Sequence, residues 1–176
     1  MSGPRQPQSI GAVVGGGAVA GVIAGAVMLL AGMGLAAGMG AGATLPVRGI
    51  AAALSGVMAL VGGLGTLIEG WLVQLAVSAV LGLIYTAIGW NLRKYRWVLI
   101  WGILYAIAAW AVFITWLLPA GDPTLSAYAG MMGASWFWLY IVFGVVLSIS
   151  QPLRRGLGGA KLPQTEAHPW PLPKAS

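Results

Sequence analysis

Cysteine is absent from this chain. Disulfides, thiolate-held metals and a cysteine nucleophile are thereby excluded. Acidic residues are nearly absent as well: Glu69, Asp122 and Glu166 stand against nine Lys and Arg in 176 residues. His168 is the single histidine, and it lies close to the end of the sequence. A His–carboxylate metal cluster, a bis-His haem site and a Ser–His–Asp relay within the apolar body all lack their parts. No P-loop occurs. Gly15, Gly16, Gly17 and Gly21 resemble a dinucleotide-binding loop only in composition, because no strand precedes them and no acid follows at the required distance. No cofactor and no metal is expected, and the chain is expected not to be an enzyme. Charge of either sign is scarce, at 7% of residues. Soluble domains carry roughly 25%.

What remains is apolar. Hydrophobic residues make up 59% of the chain, and the mean hydropathy is +0.90. So few polar side chains cannot cover a surface that faces water, which makes lipid the expected solvent. The net charge of +6 is concentrated near the ends and in one knot at residues 91–96, which holds Arg93, Lys94 and Arg96. Apolar runs of about 20 residues, 71–90 and 97–118, flank that knot. Each is long enough for a helix to cross the hydrocarbon core. Basic residues between two spans mark the cytoplasmic side. Arg154 and Arg155 follow the run 125–150 directly and place the same mark two crossings later. These five residues are expected to set the topology and to meet anionic head groups. They do not interleave with aromatics as in a nucleic-acid binder, so no nucleic acid is expected as partner.

The expected fold is an all-α, polytopic transmembrane helix bundle. Four spans cover residues 10–43, 71–90, 97–118 and 125–150. Residues 50–68 form an additional interfacial, re-entrant or fifth helix. Residues 1–9 are a cytoplasmic leader, 10–150 the transmembrane domain, and 151–176 a cytoplasmic Pro/Gly-rich basic tail. The first apolar run is too long for a signal-peptide core and is read as a retained span. With four spans both termini are cytoplasmic, and the expected location is the inner (cytoplasmic) membrane.

Small residues recur every fourth position. Gly17, Gly21 and Gly25 form one row, and Gly34, Gly38 and Gly42 a second. Such rows make flat grooves on which another helix can approach closely. In the second span Gln74, Ser78, Gly82 and Thr86 keep the same spacing. They are expected to face a neighbouring helix, with Gln74 and Ser78 hydrogen-bonding across the contact. In the fourth span Tyr140, Gly144 and Ser148 repeat the pattern, a weak internal similarity between the two halves. Trp97, Trp101, Tyr105, Trp110 and Trp116 line the third span. Pro119, Asp122 and Pro123 form a turn, with Thr124 or Ser126 as cap of the next helix. Glu69, just ahead of Trp71, is expected at the head-group boundary. The sharper alternative is a proton or cation site facing the bundle.

Short stretches extend the comparison. They are Ala20-Gly21-Val22-Ile23-Ala24-Gly25, Gly70-Trp71-Leu72-Val73, Gly82-Leu83-Ile84-Tyr85 and Trp101-Gly102-Ile103-Leu104-Tyr105. Leu118-Pro119 and Phe143-Gly144-Val145-Val146-Leu147 complete the set. Through these the chain resembles a family of small bacterial four-span integral membrane proteins of unknown function, over residues 10–150. The resemblance implies a four-span bundle and no particular activity. Family members often carry a His early in the second span and another in the fourth. Gln74 and Tyr140 stand there instead, so a metal or haem does not carry over.

Three functions are compatible with this composition. The leading one is a non-catalytic structural or accessory subunit packed within a larger membrane complex, respiratory or photosynthetic. The second is a small oligomeric transporter or channel built around Glu69 and the Gln74–Ser78–Thr86 stripe. The third is a pigment- or quinone-binding helper using the third-span aromatics. The expected partners are membrane lipid and either other membrane proteins or further copies of this chain.

Overall fold

A backbone surrounded by lipid has to bond to itself, which favours helices even where glycine is abundant. The computed structural model describes residues 10–89, 95–117 and 133–148. These form five α-helices, and no strand occurs among the described residues. Helix α1 spans Ile10–Gly38 and carries no charged residue. It ends earlier than residue 43 for a local reason. Gly40 takes φ +74°, its N–H bonds to the Ala37 carbonyl, and the Ala41 N–H bonds to the Ala36 carbonyl. That is a Schellman stop, which needs a residue able to adopt the left-handed conformation.

Helix α2, Leu45–Ser55, begins with Pro46 in its first turn, where a missing N–H costs nothing. Gly56, at φ +82°, ends it. A 3-10 helix follows at Val57–Val61, then Gly62 and Gly63, and then α3 at Leu64–Ile88. Residues 50–68 are therefore not one helix. The 11 residues of α2 rise about 16 Å, half of the hydrocarbon thickness. A fifth crossing by a continuous helix does not occur there. Helix α3 begins seven residues ahead of the expected Trp71, so Glu69 lies inside the helix rather than before it.

Helix α4, Tyr95–Val112, continues into a π-helical turn, Phe113–Leu117. Within it Thr115 Oγ1 donates to the Ala111 carbonyl at 2.6 Å. Helix α5 spans Gly133–Ser148. Three stretches, Val14–Gly38, Leu64–Ile88 and Arg96–Trp116, are long and apolar enough to cross a membrane, with 25, 25 and 21 residues. Their rise of about 32–37 Å exceeds the roughly 30 Å of hydrocarbon. The 16 residues of α5 rise about 24 Å. The expected start of the fourth span, the turn at Asp122 and the caps Thr124 and Ser126 lie outside the described residues. So do Arg93, Lys94, Arg154, Arg155, His168, the leader and the tail.

Helix α1 is central: it packs on α3, on α5 and on α2, while α4 packs on α5 and α2 on α3. The main core joins Ala20, Ala24 and Met28 of α1 to Tyr85, Val98, Ala106, Tyr140, Phe143 and Leu147. A smaller core of Ala51, Ala52 and Ala59 lies beneath α2. Large apolar side chains on the outer faces, among them Leu30, Leu72, Val80, Leu104 and Trp138, are exposed. They match a hydrocarbon surround rather than water.

Candidate functional site

Residues spaced by four share one side of a helix. The structure brings two such rows face to face. Gly17, Gly21 and Gly25 of α1 meet Thr86, Gly82 and Ser78 of α3, in antiparallel order. A Cβ added to Gly82 would stand 2.7 Å from the Gly21 Cα. One added to Gly17 or Gly25 would run into the side chain of Thr86 or Ser78. No side chain fits between these backbones, so glycine is what permits the contact. The α4–α5 contact uses the same device. A Cβ on Gly102 would stand 2.6 Å from the Gly144 carbonyl oxygen, and one on Gly144 would stand 2.7 Å from the Ala106 Cβ. Ser148 is buried there and donates to the Gly144 carbonyl at 2.8 Å. Tyr140 is buried as well and packs its ring 6.2 Å from that of Phe113.

The second expected row does not join these contacts. Among the described residues a Cβ on Gly34, Gly38 or Gly42 meets nothing within 4 Å, and Gly42 is no longer helical, with φ +86°. The Gln74–Ser78 expectation also changes. Gln74 Nε2 donates to Ser78 Oγ at 3.4 Å within α3, and across the interface it reaches only the Met28 sulfur at 3.9 Å. Ser78 itself packs against Gly25, which offers no side-chain acceptor across the contact.

Direct polar ties between α3 and α4 come from residues that the spacing argument did not single out for bonding. Tyr85 donates to the Val98 carbonyl at 3.1 Å, and Tyr105 to the Leu81 carbonyl at 2.8 Å. The two rings sit 5.5 Å apart, tilted by 60°. The signal available in the sequence was a pair of mid-span tyrosines, whose hydroxyls must find partners in an apolar setting. Trp101 and Trp110 contribute buried indole N–H groups with no partner among the described residues. Trp110 stands edge-on to Phe137 at 5.3 Å, and Phe113 stacks on Trp136 at 6.3 Å.

A separate polar group forms where α2 meets the start of α3. Gly70 has no room for a side chain against the Val47 backbone, which brings the two helices together. Glu69, half-buried in the second turn of α3, accepts a hydrogen bond from Ser55 at the end of α2. Arg48 folds back so that its Nη1 donates to the Leu60 carbonyl at 3.4 Å, while its Nε is buried with no partner among the described residues. Of the expected cytoplasmic cluster, Arg96 is described: it is exposed at the start of α4, 6.0 Å from the Trp97 ring.

Between α1, α2 and α5 lies a cleft of about 30 Å³, lined by Met28, Gly32, Ala36, Pro46, Trp136 and, from α3, Gln74. That is room for roughly two waters. No family model, no curated protein and no solved structure matches this chain.

Proposed function

We propose that this chain is a non-catalytic subunit of the inner membrane, crossing it four times, whose task is to pack against other membrane-embedded chains. Four crossings put both termini on the cytoplasmic side, with Arg93, Lys94, Arg96, Arg154 and Arg155 at that face. The segment from α2 to the 3-10 helix is then an addition that does not cross. The carrying observation is how the polar side chains inside the helices are used. Tyr85, Tyr105, Thr86 and Ser148 all donate to backbone carbonyls of the chain itself. Tyr85 and Tyr105 tie α3 to α4, while Thr86 and Ser148 satisfy their hydroxyls within their own helices. The row Gly34–Gly38 on α1, with nothing within 4 Å among the described residues, supports a helix from another chain as the partner. Purification in mild detergent should bring larger membrane proteins along. Recovery as a lone monomer, with every membrane complex intact after deletion, would contradict this reading.

One observation favours a second reading, a small transporter or channel. Glu69 lies within α3 rather than ahead of it, and its partner is a neutral hydroxyl rather than a cation. A carboxyl group in that setting is a candidate proton or cation carrier. Liposomes with the wild-type chain should then pass protons or cations, and Glu69→Gln should abolish the flux. Equal flux in both, or none in either, would contradict the second reading.

A further inference from the structure

The segment from α2 to the start of α3 is built with its apolar side outward. Leu54, Met58, Val61 and Leu64 are 69%, 74%, 76% and 74% exposed, among the most exposed large hydrophobics described. They fall within residues 54–64, where every exposed large side chain is apolar. Arg48, the one long cationic side chain of the segment, is partly buried and donates to the Leu60 carbonyl. Ser55 turns its hydroxyl to Glu69. In a water-facing loop the arrangement would be reversed, with Arg48 extended and the leucines covered. The patch also continues into α3, where Ile68 and Leu72 follow Leu64 at intervals of four and are exposed too. That row belongs to a helix long enough to cross a membrane.

Depth follows from the backbone. The 3-10 turn and Gly62–Gly63 lack the regular bonding of an α-helix, and lipid-exposed irregular backbone is not tolerated in the hydrocarbon core. The segment also occupies the end of α3 remote from residue 88. If α3 is centred in the bilayer, Leu64 stands about 18 Å from the midplane, a few ångströms beyond the hydrocarbon edge.

We infer that residues 45–64 lie flat at one membrane interface, with the patch Leu54–Met58–Val61–Leu64 set at the boundary between head groups and acyl chains of a single leaflet. Its partner is the lipid surface itself, and insertion is about 5–10 Å, as for interfacial amphipathic helices. The inference rests on the membrane-crossing reading of α3.

The chain has no cysteine of its own, so single-cysteine variants report one position each. Met58→Cys and Val61→Cys alter exposed sites and should fold. Each is labelled with an environment-sensitive dye and reconstituted in phosphatidylcholine–phosphatidylglycerol vesicles. Val80→Cys on α3 serves as control. The expected result is loss of fluorescence at 58 and 61 with a nitroxide near the lipid head group, a smaller loss with one near the chain terminus, and none with aqueous iodide. Quenching by iodide alone would overturn the inference in favour of a free loop. Strongest quenching by the deep nitroxide would overturn it in favour of a re-entrant segment. Protection from every quencher, with a disulfide-linked dimer of Val61→Cys on oxidation, would assign the patch to a second copy. Iodide quenching at position 80 would overturn the membrane-crossing reading itself, a result distinct from failure at 58 and 61 alone.

Discussion

Gly21 and Gly34 sit on the same helix, yet a side chain placed on each has opposite consequences. At Gly21 a Cβ collides with the Ser78 main chain and stands 3.0 Å from the Gly82 Cα. Gly21→Val should separate α1 from α3 and lower stability by about 1–3 kcal/mol, the usual range for overpacking. Thermal unfolding in mild detergent measures it. Gly34→Val meets no neighbour among the described residues, so the same unfolding curve should be unchanged, while co-purification with a partner chain should weaken. Tyr105→Phe removes one hydroxyl from the Leu81 carbonyl. Its cost should be about 0.6 kcal/mol and no more than about 1.7, since hydrogen bonds inside membranes are worth little when the unfolded state finds other partners. A Tyr105→Phe loss as large as that of Gly21→Val would mean that the hydroxyl, not the glycine groove, holds the helices.

At the scale of elements, the break between α2 and the 3-10 helix depends on Gly56 at φ +82°. Gly56→Ala should strain that turn by about 1–3 kcal/mol and speed proteolytic cleavage within residues 55–63, while cleavage elsewhere stays the same. A cleavage pattern like that of the wild type would show that the turn tolerates a side chain. The helical character and the glycine rows were legible in the sequence, because a spacing of four maps directly onto one helix face. Which row would find a neighbour was not legible: Gly17–Gly25 and Gly34–Gly42 look alike until the Gly40 stop ends α1 and leaves the second row open. The start of α3 was also hidden. Residues 50–68 read as one apolar run, but the chain breaks at Gly62 and Gly63 and is helical again from Leu64. That shift of seven residues is what carried Glu69 from a boundary position into the helix. The inward turn of Arg48 depends on the Leu60 carbonyl 12 residues away, which no local pattern encodes.

At the scale of the whole molecule, the account depends on lipid as the solvent of α1, α3 and α4. Small residues let the backbones approach, tyrosines lock α3 to α4, and large apolar side chains are left on the outside. On the proposed four-crossing topology, fusion reporters at the two termini should both read as cytoplasmic, and a reporter placed after residue 118 as external. A split result at the termini would change the number of crossings without changing the solvent. Alkaline carbonate extraction of isolated membranes tests the solvent directly. The account predicts that the full chain stays in the membrane pellet and leaves it only on addition of detergent. Release into the alkaline supernatant would contradict it.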